Sequence, residues 1–139
     1  MPKSWSQRFE IEPMPTPRLR FRRLPKGVAT YYPNDYGKYM DRITELYAGH
    51  SFGDCPLSVE LTFSLPRPKG HYGTGKNSEV LKDGSPGHPV TKADIDNYCK
   101  GTLDALKGVA WDDDKQVVEL TARKVFGDPF IHVFIRRYE

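Results

Sequence analysis

The chain has 139 residues, 21 of them Lys or Arg and 18 Asp or Glu, for a formal net charge of +3. This length supports one domain with a modest core and excludes two. No apolar run is long enough for a membrane span, and Cys55 and Cys99 lie outside any Cys-x-x-Cys or paired-histidine spacing, which excludes the usual structural zinc sites.

Residues 1–6 read as a frayed terminus. From Gln7 to Glu12, Phe9 and Ile11 alternate with Arg8, Glu10 and Glu12, the pattern of a short half-buried strand. Pro13, Pro15 and Pro17 forbid a helix or a central strand, so residues 13–18 form a stiff extended connector. It opens a Pro/Arg-rich arm, residues 13–30, carrying Arg18, Arg20, Arg22 and Arg23. Residues 1–35 hold seven cations against three acids, a balance of +4 kept apart from the acids further along. These four arginines are candidate phosphate contacts of a polyanion; a merely solvated basic arm is the alternative. Tyr31 and Tyr32 either stack on an unpaired base or pack on the domain, and packing is the commoner use of aromatics. Asn34 suits an N-cap, and Tyr36, Tyr39, Met40, Ile43, Leu46 and Tyr47 mark one face of a structural helix ending at Gly49.

Leu57–Leu65 alternates cleanly: Leu57, Val59, Leu61, Phe63 and Leu65 face a core, and Ser58, Glu60, Thr62 and Ser64 face the other way. Residues 66–90 form a long, flexible basic loop rich in Gly, Pro and Lys. Within it, Gly70-His71-Tyr72-Gly73-Thr74-Gly75-Lys76-Asn77 approaches a P-loop. Asn77 stands where a Ser or Thr is needed, and Asp83-Gly84-Ser85-Pro86-Gly87 denies the following helix, so no nucleotide cofactor is expected. Lys69 and Lys76 are candidate phosphate contacts.

The organising stretch is Asp94-Ile95-Asp96-Asn97, then Lys100, then Asp112-Asp113-Asp114-Lys115-Gln116. Asp94 and Asp96 point the same way only on extended backbone, which predicts an extended approach with Asp96 or Asn97 near the N-cap of a helix running to about Lys107. Cys99, Leu103 and Leu106 share its buried face; Asp96, Lys100 and Asp104 share another. A helix between two acidic ends can fold them together. Two carboxylates about 4 Å apart repel by roughly 4 kcal/mol at an effective dielectric near 20, so converging acids need a cation, a raised pKa or a lysine. Mg²⁺ takes oxygen ligands from one or two carboxylates plus water and substrate phosphate. The plain alternative is a solvated acidic loop with helix capping. Two strands follow, Gln116–Val125 and Phe130–Arg137, joined at Gly127-Asp128 in what reads as a tight hairpin. The fold class is therefore α+β: a small mixed sheet of about four strands with two helices on one face, in the order β-α-β-α-β-β.

Asp-Ile-Asp-Asn, Lys100, Leu103-Asp104-Ala105-Leu106 and Asp113-Asp114-x-Gln116-Val117 together resemble the RusA family of Holliday-junction resolvases, small endonucleases found in phages and prophages. The resemblance is specific over residues 92–124 and covers a single domain, residues 1–139. It implies that Asp94, Asp96 and Asp114 bind metal, that Lys100 is the active-site lysine, and that Asp113 is the first of the paired acids in a catalytic set of five. Ala93 stands where the family has proline, and Asp112 is an additional acid; counting back from Gln116 favours Asp114 as the ligand. The resemblance further implies Mg²⁺, for which Mn²⁺ can substitute, and four-way junction DNA as partner. It implies paired phosphodiester cuts in DNA recombination and repair.

One acidic cluster supplies one cut, so a homodimer is expected. In the last strand Phe130 and Phe134 lie on one face and Ile131, Val133 and Ile135 on the other, a strand wanting cover from a second subunit or from the chain's own long loop. No targeting segment is read, and a soluble cytoplasmic protein is expected, in a bacterial host if phage-encoded. The rival readings are a non-catalytic DNA-binding protein, which cleavage with and without Mg²⁺ separates, and a metal enzyme of a small phosphorylated substrate. Steep salt dependence of binding would disfavour the second.

Overall fold

The computed structural model describes residues 3–33 and 35–138. Its elements are β1 (Ser4–Phe9), β2 (Arg20–Leu24), β3 (Gly27–Tyr31), α1 (Tyr36–Leu46), β4 (Leu57–Leu65), α2 (Ile95–Leu106), β5 (Val117–Phe126) and β6 (Phe130–Arg137). Four strands form a mixed sheet in the order β1-β6-β4-β5, and β2 and β3 pair separately as a two-stranded ribbon. The α+β class and the four-stranded mixed sheet stand as expected; the ribbon is additional.

β4 and β6 are the inner strands of the sheet, and β4 carries the longer buried apolar face. Leu57, Val59, Leu61 and Phe63 are fully buried beneath the helices. Its other face is polar yet not open to water: Ser58 and Ser64 are buried too. Long polar side chains of the neighbouring strand provide that cover. The Ser58 hydroxyl donates to Glu119 at 2.7 Å, and the Arg123 guanidinium donates to the Thr62 hydroxyl at 3.0 Å.

The expected β5–β6 hairpin does not form. β5 runs parallel to β4 and β6 antiparallel to it, so β4 lies between them. This order places the apolar Ile131, Val133 and Ile135 of β6 in the interior of the sheet and leaves β5, which has no fully buried residue, at an edge. The connection at residues 127–129 therefore passes over the end of β4. There the Gly127 N–H donates to the Leu65 carbonyl at 3.0 Å, and a Cβ at Gly127 would lie 2.9 Å from the Ser64 hydroxyl.

The first strand lies earlier than its alternation suggested. Ser4–Phe9 pairs with β6, and Ile11 lies beyond the strand. The register is fixed by Gln7, which faces inward: its amide donates to the Leu46 carbonyl at 2.6 Å and its carbonyl accepts from the Ala48 N–H at 2.9 Å, closing the end of α1. On the outer face of β6 the first strand covers part of Phe130. The Arg8 guanidinium lies 4.0 Å above the Phe130 ring, and Phe130 and Phe134 are half-buried.

The expected cap at Asn34 lies outside the described residues; Asp35 occupies the N-cap position of α1 without a side-chain capping bond. Tyr36, Tyr39 and Ile43 are the buried face, and Tyr32 packs edge-on against Tyr36 at 5.0 Å. α1 and α2 approach closely at Gly101, where a Cβ would collide with the Tyr36 hydroxyl. That hydroxyl is held by Thr16 Oγ1 at 2.8 Å.

Residues 66–90, expected to be without structure, fold back on themselves. Tyr72 bridges Leu81, the Lys82 N–H donates to the His71 carbonyl at 2.8 Å, and Arg67 packs over the Phe126 ring while donating to the Pro86 carbonyl at 2.7 Å. The P-loop-like stretch makes 3₁₀ turns at Lys69–His71 and Gly75–Asn77 instead of a helix. Among the described residues no helix is long and apolar enough to cross a membrane.

Candidate active site

α2 begins two or three residues earlier in the motif than expected. Asp94 is its N-cap residue, with extended backbone (φ −62°, ψ 143°), and Asp96 already lies in the first turn. Asp94 makes no capping bond through its side chain, so both carboxylate oxygens remain available. Asp96 gains from the positive end of the helix. Lys100 stands one turn later on the same face as Asp96. All three side chains are exposed and make no hydrogen bond or ion pair among the described residues. Beneath them Cys99 is buried, and burial followed by the nearby Asp96 pushes its thiol pKa up, so it stays a protonated packing group.

Two contacts from distant chain fix this end of α2. The Thr16 N–H and hydroxyl donate to the Asn97 carbonyl at 3.0 and 2.9 Å, tying the proline connector to the first turn. The Lys124 ammonium, half-buried on β5, donates to the Ala93 carbonyl at 2.9 Å and holds the residue before Asp94. Lys124 is a positioning residue that sequence reasoning missed. Its only signal was a lysine on the inward face of β5, opposite Phe63 of β4.

The other acids lie at the far end of the helix. Gly108, at φ +90°, ends α2 in the left-handed conformation that glycine tolerates, and its N–H donates to the Trp111 carbonyl at 2.7 Å. The turn carries the fully buried Trp111, whose indole Nε1–H donates to Asp114 Oδ1 at 2.7 Å. Asp113 caps the following 3₁₀ turn, Asp114–Gln116, by accepting from the Lys115 N–H at 3.1 Å; this bond first, ahead of lysines 107 and 115, holds its pKa below the usual carboxylate range. Gln116 clips the whole turn down. Its carbonyl accepts from the N–H groups of Asp112 and Asp113 at 3.0 and 2.9 Å, and its amide donates to the carbonyls of Gly53 and Cys55 at 2.8 and 2.7 Å. In the sequence Gln116 served only to count a register; here all its hydrogen-bonding capacity shapes the acidic turn.

Asp114 is half-buried, as Asp113 is, but its carboxyl is the one that burial perturbs most. Burial raises its pKa, the Trp111 bond opposes this, and Asp104 raises it further; Lys107 and Asp113 are its other charged neighbours. Asp104 belongs to the last turns of α2, ten residues beyond Asp94, which is about 15 Å at 1.5 Å per residue. The helix thus holds the two acidic ends apart instead of folding them together. Among the described residues no three His, Cys, Asp or Glu side chains are grouped as a metal site. Asp94 and Asp96 are suitable oxygen donors for a hard divalent cation, but Asp94, Asp96 and Asp114 of one chain do not fit around a single ion.

The basic candidates fall in two places. Arg18, Arg20, Arg22 and Arg23 lie on or just before the β2–β3 ribbon, which is rooted beside Asn97, and all four are exposed. Lys69 and Lys76 are exposed on the loop after β4.

With this geometry in place, comparison with known proteins is direct. Residues 10–136 match the family described as endodeoxyribonuclease RusA. The chain belongs to the RusA family. An 82-residue stretch is also 38% identical to the uncharacterized protein YqaN of Bacillus subtilis (strain 168), covering 58% of this chain. The match spans 57% of the length of that relative.

Proposed function

We propose that this RusA-family chain is an endodeoxyribonuclease that resolves four-way DNA junctions by paired phosphodiester hydrolysis. It depends on Mg²⁺ or Mn²⁺ and acts in recombination and repair in the bacterial cytoplasm, as a host or phage protein. The observation that carries the reading is the bare end of α2. Asp94, Asp96 and Lys100, the residues that match the family motif, are exposed and without hydrogen-bond or ion-pair partners among the described residues, on a helix end anchored by Thr16 and Lys124. A non-catalytic DNA binder would gain nothing from carboxylates beside phosphate. A divalent ion bound at Asp94 and Asp96 would supply positive charge against the scissile phosphate. Lys100 adds a fixed cation one turn away, and the arginine ribbon holds the polymer. Incubating a labelled synthetic junction with and without Mg²⁺, scored on a denaturing gel, tests this. Paired cuts only with metal are expected; tight junction binding with no cut at any metal concentration would establish the binder instead.

The protein acts as a homodimer on this reading, and the separation of Asp114 from Asp94 supports a particular form of it. A second copy brings its Asp114 to the Asp94–Asp96 end of the first. Mixing Asp94→Asn chains with Asp114→Asn chains decides the matter. If Asp94 and Asp114 from different copies share a site, the mixed dimer keeps one intact site and nicks one strand. If each site is built within one chain, both sites of the mixed dimer carry a lesion and no nick appears.

A further inference from the structure

The β2–β3 ribbon has the least support of any element in the chain. Every residue of β2 and β3 is exposed except the half-buried Ala29. A lone two-stranded ribbon is marginal in water. Arg18, Arg20, Arg22, Arg23 and Lys26 crowd this segment, residues 13–33 contain no carboxylate, and none of the five cations finds a hydrogen bond or ion pair among the described residues. Such a charge distribution calls for a polyanion.

The pairing register divides the ribbon into two unlike faces. Arg20 lies opposite Tyr31 and Arg22 opposite Ala29; on the other face Phe21 lies opposite Thr30 and Arg23 opposite Val28. Phe21 is 71% exposed, the most exposed aromatic ring among the described residues, and it sits between two arginines in the chain. The ribbon's root also borders the site. A recess of about 490 Å³ lined by Thr16, Pro17, Arg18, Tyr32, Asn97 and Lys100 joins that root to the active-site end of α2.

We propose that Phe21 reads the branch point. Its ring stacks on a base left unpaired or poorly stacked where the four arms meet, while Arg20, Arg22 and Arg23 hold the adjoining phosphates. The proposal rests on the junction-resolvase reading and assigns structure selectivity to one side chain. Any base offers a π-face, so stacking requires no particular sequence. Inserting an aromatic wedge into intact duplex costs unstacking energy, and at a branch the stack is already interrupted. The residue therefore favours junction over duplex.

The test uses full-length protein in metal-free buffer, so that nothing is cut, with 2-aminopurine placed at the branch point. Wild type is compared with Phe21→Ala, Phe21→Leu and Phe21→Trp on the junction and on linear duplex of equal length. The leucine variant keeps an apolar side chain in the strand, so loss of the ribbon and loss of stacking are told apart. The Ala and Leu variants should lose at least tenfold in the ratio of junction to duplex affinity, about 1.4 kcal/mol, together with the emission change. The Trp variant should keep both. An unchanged ratio for Phe21→Ala, or wild-type behaviour of Phe21→Leu, overturns the proposal. So does a Phe21→Ala variant whose only change is in sedimentation, which would make the ribbon a contact between copies of this chain. Equal affinity of the wild type for junction and duplex would instead sink the resolvase reading itself.

Discussion

At the C-terminal end of α2 the acidic turn is held by its own side chains. Gln116 makes four hydrogen bonds, Asp113 caps a turn, and Trp111 grips one oxygen of Asp114. At the N-terminal end the reverse holds: the backbone is tied by Thr16 and Lys124, while the side chains of Asp94, Asp96 and Lys100 are left bare. Both ends are acidic and both match the family motif, yet only one uses its acids within the chain. Asp113 and Asp114 shape their turn through one oxygen each and keep the other. Acids left exposed on an anchored frame are available to something the chain does not contain.

The contrast is broken most severely at the bare end. Asp94→Asn and Asp96→Asn should each lower junction cleavage by about 10²–10³-fold or more, the scale of losing a principal electrostatic stabiliser, with junction binding kept or tightened. Their melting temperatures should stay close to wild type, since Asp94→Asn removes no bond within the fold and Asp96→Asn gives up only the helix-end attraction, about 0.3–1 kcal/mol. Lys100→Ala should likewise lose most activity and no stability; near-wild-type cleavage would reduce Lys100 to a surface charge. At the engaged end the order inverts. Gln116→Ala takes the Gln116 bond from the Asp113 N–H and the Cys55 carbonyl, while the Asp112 N–H and the Gly53 carbonyl keep each other at 3.0 Å, and on the order of 2 kcal/mol of stability should be lost in denaturant unfolding. A cost below about 0.5 kcal/mol, that of an ordinary surface change, would mean the acidic turn holds its shape without the clip. Gly101→Ala tests the frame between the two ends. It forces the Tyr36 hydroxyl away from Thr16, at about 1–3 kcal/mol for overpacking, and should loosen the Thr16–Asn97 tie, read as faster amide exchange in residues 94–98.

The smallest effect is a pH dependence. Burial places the folded-state pKa of Asp114 above its unfolded value, so the folded protein binds this proton more tightly and ionising the group costs stability. Asp114→Asn removes that cost and keeps an oxygen for the Trp111 N–H. In metal-free buffer the variant should therefore gain on wild type as pH rises from the ordinary carboxylate range near 4 toward neutrality, and the gain should level off above the folded pKa. A difference in melting temperature that stays flat across this range would show that Asp114 is not strained by its burial.

The sequence by itself determined whatever local pattern encodes. β4 runs over Leu57–Leu65 as its alternation predicts, because a strand buried against helices must place its apolar side chains two apart. α2 ends at its left-handed Gly108, and the Asp-x-Asp, Lys and Asp-Asp-x-Gln spacing pointed to the family that the chain-wide match establishes. Only the tertiary structure decided the rest. Gly127-Asp128 has the composition of a hairpin, yet β6 buries its apolar face beside β4 and leaves an edge of the sheet to β5. The arginine arm shows no hairpin-like apolar alternation, since both faces of its ribbon meet solvent. The distance between Asp94 and Asp114 was equally invisible. Spacing along a chain says that two acids flank a helix, and only the rigid length of that helix, with Trp111 and Gln116 fixing the far turn, says that they stay at opposite ends of it.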